Sequence, residues 1–532
     1  MATDGQAKTE GPGHKEIITK AAGVVGAATL GSRVLGYVRD MLVAQLFGAT
    51  VAADAFFMAF RIPNLLRRLT AEGAMTAAFV PTYTSVMEKD GKIRAFALAC
   101  NIITLLGVAL MVLCAMGVIF SPWLVKVLAP GFTTSPHAFN LTMLLTRIMF
   151  PYLLFVSVAA VMMAMLNSMG RFFYPAAGSS LLNITIIVCA ITLKDRFDEP
   201  TVALAIGVLL GGIAQLALQW WELKGLGWKF VPSFNLHDAD ARKMGLLLLP
   251  ATAGMAVAEI NSFVDTLVAS FLPEGSVSYL YYGNRLMQFP LGVFGVAIGV
   301  AALPSMSSEV ARGGAKLVEL MSHALRLTLF IAFPATVGLV ALAGPITNVL
   351  FERGEFTEAA RNGVVIATVY FSLGLCAYSG IKVVVAAFYA LKDTATPTRV
   401  AVYCMLLNVA LNLALMGPMK HGGLALATSI SSFVNVGWLL WILRKKIGPL
   451  DGRRIMSSTV KMTAASILMG VAALGYSAAF FSYEAPLASR IVHLGSAITI
   501  GMVVYLASAL AMGCGEAKSL MARVSSKLGI KR

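Results

Sequence analysis

The chain has 532 residues, of which 58% are hydrophobic and only 13% charged, and its mean hydropathy is +0.79. A soluble domain carries about a quarter of its residues charged, so this composition describes a multi-pass membrane protein and leaves no room for a sizeable soluble domain. The net charge of +16 invites a nucleic-acid reading, but the placement of the basic residues argues against it.

The first stretch, 1–16, is polar, contains Gly and Pro, and is expected to be disordered and cytoplasmic. It lacks the apolar core of a signal peptide. Segments long enough to cross roughly 30 Å of hydrocarbon then fall at 17–46, 51–87, 95–120, 138–168, 174–193, 201–221, 243–271, 276–308, 317–343, 359–390, 397–416, 422–443, 459–481 and 489–513. They predict an all-α polytopic fold of fourteen transmembrane helices. Two of these segments are long and interrupted by proline, Pro63 and Pro290, and a break is expected at Pro63 because proline removes a backbone donor. The six cysteines lie scattered in apolar segments with no CxxC, which reads as buried free thiols.

With the N-terminus inside, Lys89, Lys92, Arg94, Arg171, Lys224, Lys229, Arg312, Lys316 and the basic run 444–461 all fall on the cytoplasmic side. Only Lys126, Lys194, Arg196, Arg353, Arg361, Lys420 and Arg490 fall outside. This is the positive-inside pattern. It places both termini in the cytoplasm and makes the charge a topology signal, with no nucleic acid implied.

The sequence repeats itself. DMLVAQLFG at 40–48 resembles DTLVASFLP at 265–273, and GRFFYPA at 170–176 stands where KDTATPT does at 392–398. An even number of spans per repeat keeps orientation, so two parallel six-helix lobes are expected, 17–221 and 243–443, with substrate between them. The linkers are 222–242 and the basic stretch 444–458. Two further helices follow in 459–513, then a cytoplasmic tail at 514–532.

Charge inside apolar helices is the informative feature, because each lipid-facing charge costs about 2.5–3.5 kcal/mol. On a helix, Arg33, Gly36 and Asp40 share a side, with Ser32 and Arg39 beside them. Asp54, Arg61, Arg68 and Glu72 share an arc of the next, which also carries Arg67. Structural ion pairs such as Arg39 with Asp54, or Arg68 with Glu72, are the bland reading; a polar interior that binds substrate is the functional one. In YLYYGNRLMQFP, 279–290, Arg285 stands with Asn284 and Gln288. Arginine offers a donor fork suited to phosphate. Arg33, Arg39 and Arg285 are expected to share one cavity. Asp265 with Asn408, Asn412 and Thr428 supplies oxygen donors for a hard cation; interhelical hydrogen bonding is the competing reading. GVLLG at 207–211 and GVAIG at 295–299 read as close helix packing. No hydrolytic, phosphate-loop or redox motif occurs, so no enzyme is expected.

SRVLGYVRD at 32–40, ADAFFMAFRIPNLLRRLTAEGAMTAAFVP at 53–81 and YYGNRLMQFPLGVFGVAIGVAALPS at 281–305 resemble the MurJ family of lipid II flippases. The resemblance covers nearly the whole chain. It implies a bacterial inner-membrane protein of the multidrug/oligosaccharidyl-lipid/polysaccharide exporter superfamily. Its two lobes would move the undecaprenyl-pyrophosphate-linked peptidoglycan precursor between leaflets by alternating access, with a lipid-tail groove on the last two helices. It also implies functional roles for Arg33, Arg39, Asp40, Asp54, Arg67 and Arg285, and a sodium site at Asp265, Asn408, Asn412 and Thr428. Gln288 stands where the family commonly has glutamate, and Asn412 where it has a second acid. Na+ or the membrane potential would drive transport; lipid II, membrane lipid and cell-wall synthesis proteins are the implied partners. A drug or O-antigen exporter, or a non-transporting scaffold for cell-wall synthases, are the alternatives.

Overall fold

The computed structural model describes residues 14–67, 74–519 and 521, and among these there is no strand. Its helices are α1 (His14–Phe47), α2 (Val51–Arg67), α3 (Ala74–Lys89), α4 (Gly91–Ile119), α5 (Ser121–Leu128), α6 (Pro136–Met149), α7 (Tyr152–Ser168), α8 (Phe173–Leu193), α9 (Val202–Gly225), α10 (Ala239–Ala269), α11 (Ser276–Pro290), α12 (Val296–Ala311), α13 (Leu317–Leu350), α14 (Glu358–Leu373), α15 (Leu375–Ala390), α16 (Ala395–Ile447), α17 (Gly452–Phe480) and α18 (Leu487–Ala511). Helix satisfies every backbone group within its own segment, which hydrocarbon demands. Nine helical stretches among the described residues are long and apolar enough to cross a membrane, and α12 is a shorter apolar helix. The protein is an all-α polytopic membrane protein. Most of the expected N-terminal tail lies outside the described residues, as do Arg68, Glu72 and the last eleven positions, 522–532.

Proline and glycine decide where the long segments divide. At Pro63 the expected break does not occur, and α2 continues through it to Arg67. Packed membrane helices tolerate a lost donor when neighbours re-satisfy the backbone, and Pro63 is buried. At Pro290 the helix does change, giving way to a π-helical turn at Leu291–Gly295 before α12 begins. Pro151 precedes α7, Gly374 separates α14 from α15, and α16 is two helices joined at Lys420, whose φ of 51° and ψ of −133° interrupt it.

The chain forms two compact units. The first comprises Met1–Val43, Ala59–Val125 and Asn140–Ala256. Its core gathers Phe79 and Tyr83 of α3, Leu98 and Ile102 of α4, Val161 and Met165 of α7, and Trp228. Between helices in lipid the driving force is close packing rather than escape from water. The GVLLG pattern works this way: a Cβ on Gly207 would lie 2.8 Å from the Ile186 Cα, so only glycine lets α9 approach α8 so closely. The expected cytoplasmic linker is tied down along α4. Asn101 Nδ2 donates to the Asn235 carbonyl at 2.9 Å, Asn235 N donates back to Asn101 Oδ1 at 2.8 Å, and Arg94 Nη2 donates to Asp238 Oδ2 at 2.8 Å. Asp238 is buried, which raises its carboxyl, but the Arg94 guanidinium and two backbone donors outweigh that and hold it below the ordinary range.

The second unit comprises Ala44–Met58, Lys126–Phe139 and Val257–Arg532. One core joins α12, α13, α15 and α16 through Met306, Met321, Leu325, Val384, Phe388 and Leu439. Another packs α17 and α18 on α13 through Phe330, Met462, Met469, Tyr505 and Ala509. Gly299, in the second GxxxG pattern, brings α12 against α15, where an added Cβ would meet Lys382 at 3.1 Å. The segment after α18 is not a free tail. Glu516 is 3% exposed, pairs with Arg326 of α13, and accepts from Cys514 Sγ at 3.2 Å. All six cysteines are buried and free.

Candidate functional site

In the first unit the polar site is built on α1 and α8. Arg39 and Asp40 are adjacent in α1, yet they meet side by side. Arg39 Nε and Nη2 both donate to Asp40 Oδ1, at 3.0 and 2.6 Å. The third donor, Nη1, reaches Asn183 Oδ1 of α8 at 3.1 Å. Asn183 Nδ2 in turn donates to the Ser32 carbonyl at 3.2 Å, about two turns back along α1 from Arg39. The Arg39 and Asp40 side chains are 14% and 2% exposed, so this is an ion pair shielded from bulk solvent with one edge still reachable. Arg33 is exposed, whereas Gly36 and Asp40, on the same helical side, are buried. Arg67 Nε donates to Asn64 Oδ1 at 3.1 Å within α2.

Asp54 belongs to the second unit and does a different job from the one its sequence suggests. Its Oδ2 accepts from Gly275 N at 2.7 Å, and its Oδ1 accepts from Ser278 N at 2.8 Å and Ser278 Oγ at 2.5 Å. The two backbone donors lie at the start of α11, where N–H groups lack partners within the helix and a carboxylate is favoured by the helix dipole. Asp54 thus anchors α2 to the N-terminus of the helix that carries Arg285, and its burial needs no guanidinium to explain it. Along α11, Gln288 Nε2 donates to Asn284 Oδ1 at 2.7 Å, and Arg285 is half-buried between them in sequence.

The four oxygen-bearing residues of the second repeat do converge. Asn412 Nδ2 donates to Asp265 Oδ1 at 2.6 Å and to Asn408 Oδ1 at 3.1 Å, while Asn408 Nδ2 donates to Thr428 Oγ1 at 3.3 Å. In that arrangement the Asn408 side-chain oxygen faces Asp265 Oδ1 across 2.8 Å; turned over, the amide nitrogen donates to Asp265 instead and the oxygen accepts from Thr428 N at 3.2 Å. Asn412 Oδ1 is buried with no hydrogen-bond partner. A buried amide oxygen without a partner, on the residue that also bonds the Asp265 carboxylate, is a donor set that fits a hard monovalent cation.

Asn183, Ser278 and Gly275 are the site residues that reading the sequence missed. A signal for Asn183 exists: LLN at 181–183 recurs as LLN at 406–408, at the same shift of 225 that relates Asp40 to Asp265. The two repeats therefore each set one aspartate near one asparagine.

Comparison with known proteins follows the same lines. The family model described as "Lipid II flippase MurJ" matches residues 43–509. A "Probable lipid II flippase MurJ" from Vibrio cholerae is 36% identical over 93% of this chain and 96% of its own length. The "Lipid II flippase MurJ" of Burkholderia cenocepacia is 35% identical over 79% of this chain and 83% of its own. Among solved structures, "Lipid II flippase MurJ, inward closed conformation" superposes with a TM-score of 0.76 at 28% identity, over 91% of this chain and 97% of that one. An inward-facing multidrug MATE transporter shares the fold alone, with a TM-score of 0.66 at 14% identity. On the extent of the match and the level of identity, the chain belongs to the MurJ family of lipid II flippases.

Proposed function

We propose that this protein moves lipid II, the undecaprenyl-pyrophosphate-linked peptidoglycan precursor, from the inner to the outer leaflet of the bacterial inner membrane. The proposal includes alternating access of two lobes, both termini in the cytoplasm, and no catalytic step. The observation that carries it is the Arg39 site: a guanidinium inside an apolar helix, neutralised by its own neighbour Asp40 and steadied by Asn183. A pyrophosphate, like the carboxylate, presents pairs of oxygens that can take two parallel N–H···O bonds from a guanidinium, with more charge. Arg39 is already held in place, so binding costs little side-chain ordering. Arg33 and Arg67 supply further donors in the first unit, with Ser32 as a polar neighbour, and Arg285, with Asn284 and Gln288 beside it, is the second unit's own fork for phosphate. Asp54 acts one step removed, by fixing where α11 starts and so where Arg285 lies.

In this reading Asp265, Asn408, Asn412 and Thr428 would hold Na+. The bound ion would supply a positive charge beside Asp265 and a link to the ion gradient. The chain's own contribution is the Asp265 carboxylate, held by Asn412 Nδ2 at 2.6 Å. The direct test is lipid II exposure on the outer leaflet, with protein level measured alongside. Loss of exposure in Arg39→Ala at normal protein level supports the reading, and full exposure overturns it.

A further inference from the structure

Three arginines of the second unit meet where α13 ends, α14 begins and α18 begins. Arg361 is fully engaged: Nη1 donates to both oxygens of Glu352, at 3.1 and 3.0 Å, and Nη2 to Glu358 at 2.6 Å. Its guanidinium also lies over the Tyr483 ring at 4.4 Å. Glu352 is used up, since Asn348 Nδ2 donates to its Oε2 as well, at 2.6 Å. The other two arginines bond neutral acceptors instead. Arg490 places Nη1 on Asn348 Oδ1 at 3.0 Å, and Arg353 places Nη2 on the Val349 carbonyl at 2.5 Å. Among the described residues neither makes an ion pair, and the Nε–H of each is buried without an acceptor. The two guanidinium groups also feel one another: burial first, then the charge of Arg490, holds Arg353 below the ordinary arginine range.

Two neighbouring cations with shielded, unused donors are a costly arrangement unless an anion sits between them. Arg490 has the right edge for one. With Nη1 occupied, its Nε–H and Nη2 point the same way, the side-on fork that grips two oxygens of a phosphate. The loop that carries Arg353 is fixed, because Glu355 N donates to the Gln45 carbonyl at 2.9 Å and Gly354 takes a φ of 57° with Gln45 packed against it. Beside the arginines the surface turns apolar, with Phe480, Tyr483, Ile491 and Val492 all exposed. The other end of α13 meets the basic linker, where Ser322 Oγ donates to Asp451 Oδ2 at 3.0 Å. The cluster is therefore at the end of α13 opposite the basic linker.

From this we infer that Arg353 and Arg490 form a binding site for the phosphate group of a lipid lying in the leaflet opposite the basic linker. The inference does not rest on lipid II being the cargo. A membrane phospholipid and the pyrophosphate lipid both carry the required group, and the experiment separates them. Full-length protein in detergent is offered phosphatidylglycerol, undecaprenyl pyrophosphate, or dioleoylglycerol, which has tails and no phosphate, and retained lipid is read by native mass spectrometry. The wild type should retain the phosphate lipids at least tenfold over dioleoylglycerol, and Arg353→Gln/Arg490→Gln should lose that preference. Loss for both lipids makes membrane phospholipid an occupant; loss for undecaprenyl pyrophosphate alone assigns the site to the transported lipid. Arg490→Lys keeps the charge but not the fork, and should retain several-fold less phosphate lipid with an unchanged melting temperature. It also decides the matter if the double variant does not fold. Undiminished retention in Arg490→Lys, or equal retention of all three lipids by the wild type, overturns the site.

Discussion

Asp40 and Asp265 occupy the same place in the two repeats, and the chain solves the same problem there in two ways. Both are aspartates in apolar helices, and each repeat brings in the asparagine of its LLN motif: Asn183 accepts from Arg39, the partner of Asp40, and Asn408 stands beside Asp265. Beside Asp40 stands Arg39, a cation that is covalently part of the chain. At the corresponding position beside Asp265 stands Val264, which brings no charge, and Asn412 stands where the first repeat has Ile187. The first repeat therefore carries a permanent positive charge beside its aspartate, and the second has neutral amides there. A fixed guanidinium suits recognition of an anionic cargo; an exchangeable ion suits coupling to a gradient. In the proposed function, one duplicated polar position is divided between the two tasks.

The comparison can be broken most severely at Arg39. Arg39→Ala should abolish lipid II exposure. Because removing one partner of a buried pair costs about 3–5 kcal/mol, protein level must be followed in the same cells. Arg39→Lys, which keeps charge but loses the fork over Asp40 and Asn183, should retain only a minor part of the activity. The converse change sharpens the contrast. Val264→Arg would give the second repeat the cation that the first has, and transport by this variant should no longer respond to external Na+. A smaller effect is expected from Asn412→Ile, which installs the first-repeat residue and removes one oxygen. Its half-maximal Na+ concentration should rise on the order of tenfold, the equivalent of about 1.4 kcal/mol of lost coordination.

The smallest effect lies outside the membrane, where the repeats also differ by charge. Arg171 Nε stands 3.8 Å from Glu222 in the first repeat, and Asp393 pairs with Lys446 at the corresponding place in the second, with the polarity reversed. Burial alone would raise the Asp393 carboxyl, but the Lys446 and Thr396 hydrogen bonds bring it down to about 2. A carboxyl depressed in the folded state contributes stability above its unfolded value near 3.8 and loses it as pH falls toward about 2. Asp393→Asn should therefore lower the melting temperature slightly at pH 7, and the difference from wild type should vanish between pH 4 and pH 2.

Much of this was legible in the residues. Apolar segments of membrane length located the helices, and the 225-residue shift paired Asp40 with Asp265. The convergence of Asp265, Asn408 and Asn412 followed from oxygen donors placed one helical turn apart. What was not legible depends on long-range packing. Asp54 reads as a partner for arginine, yet its bonds go to Gly275 and Ser278, more than 200 residues away, because α11 happens to begin beside it. Glu516 reads as part of a soluble tail, yet it is buried against Arg326. Pro63 reads as a break, and neighbouring helices absorb it. In each case the local signal was sound and tertiary contacts outweighed it.

The central claim is that the first repeat holds the anion and the second the exchangeable cation. It is tested most directly by measuring lipid II translocation in proteoliposomes against Na+ concentration for wild type, Arg39→Ala and Val264→Arg. The account predicts a Na+-stimulated wild type, no translocation by Arg39→Ala at any Na+ concentration, and Na+-independent translocation by Val264→Arg. Translocation by Arg39→Ala that equals the wild type, or a Val264→Arg protein that transports and still follows Na+ as the wild type does, would contradict it.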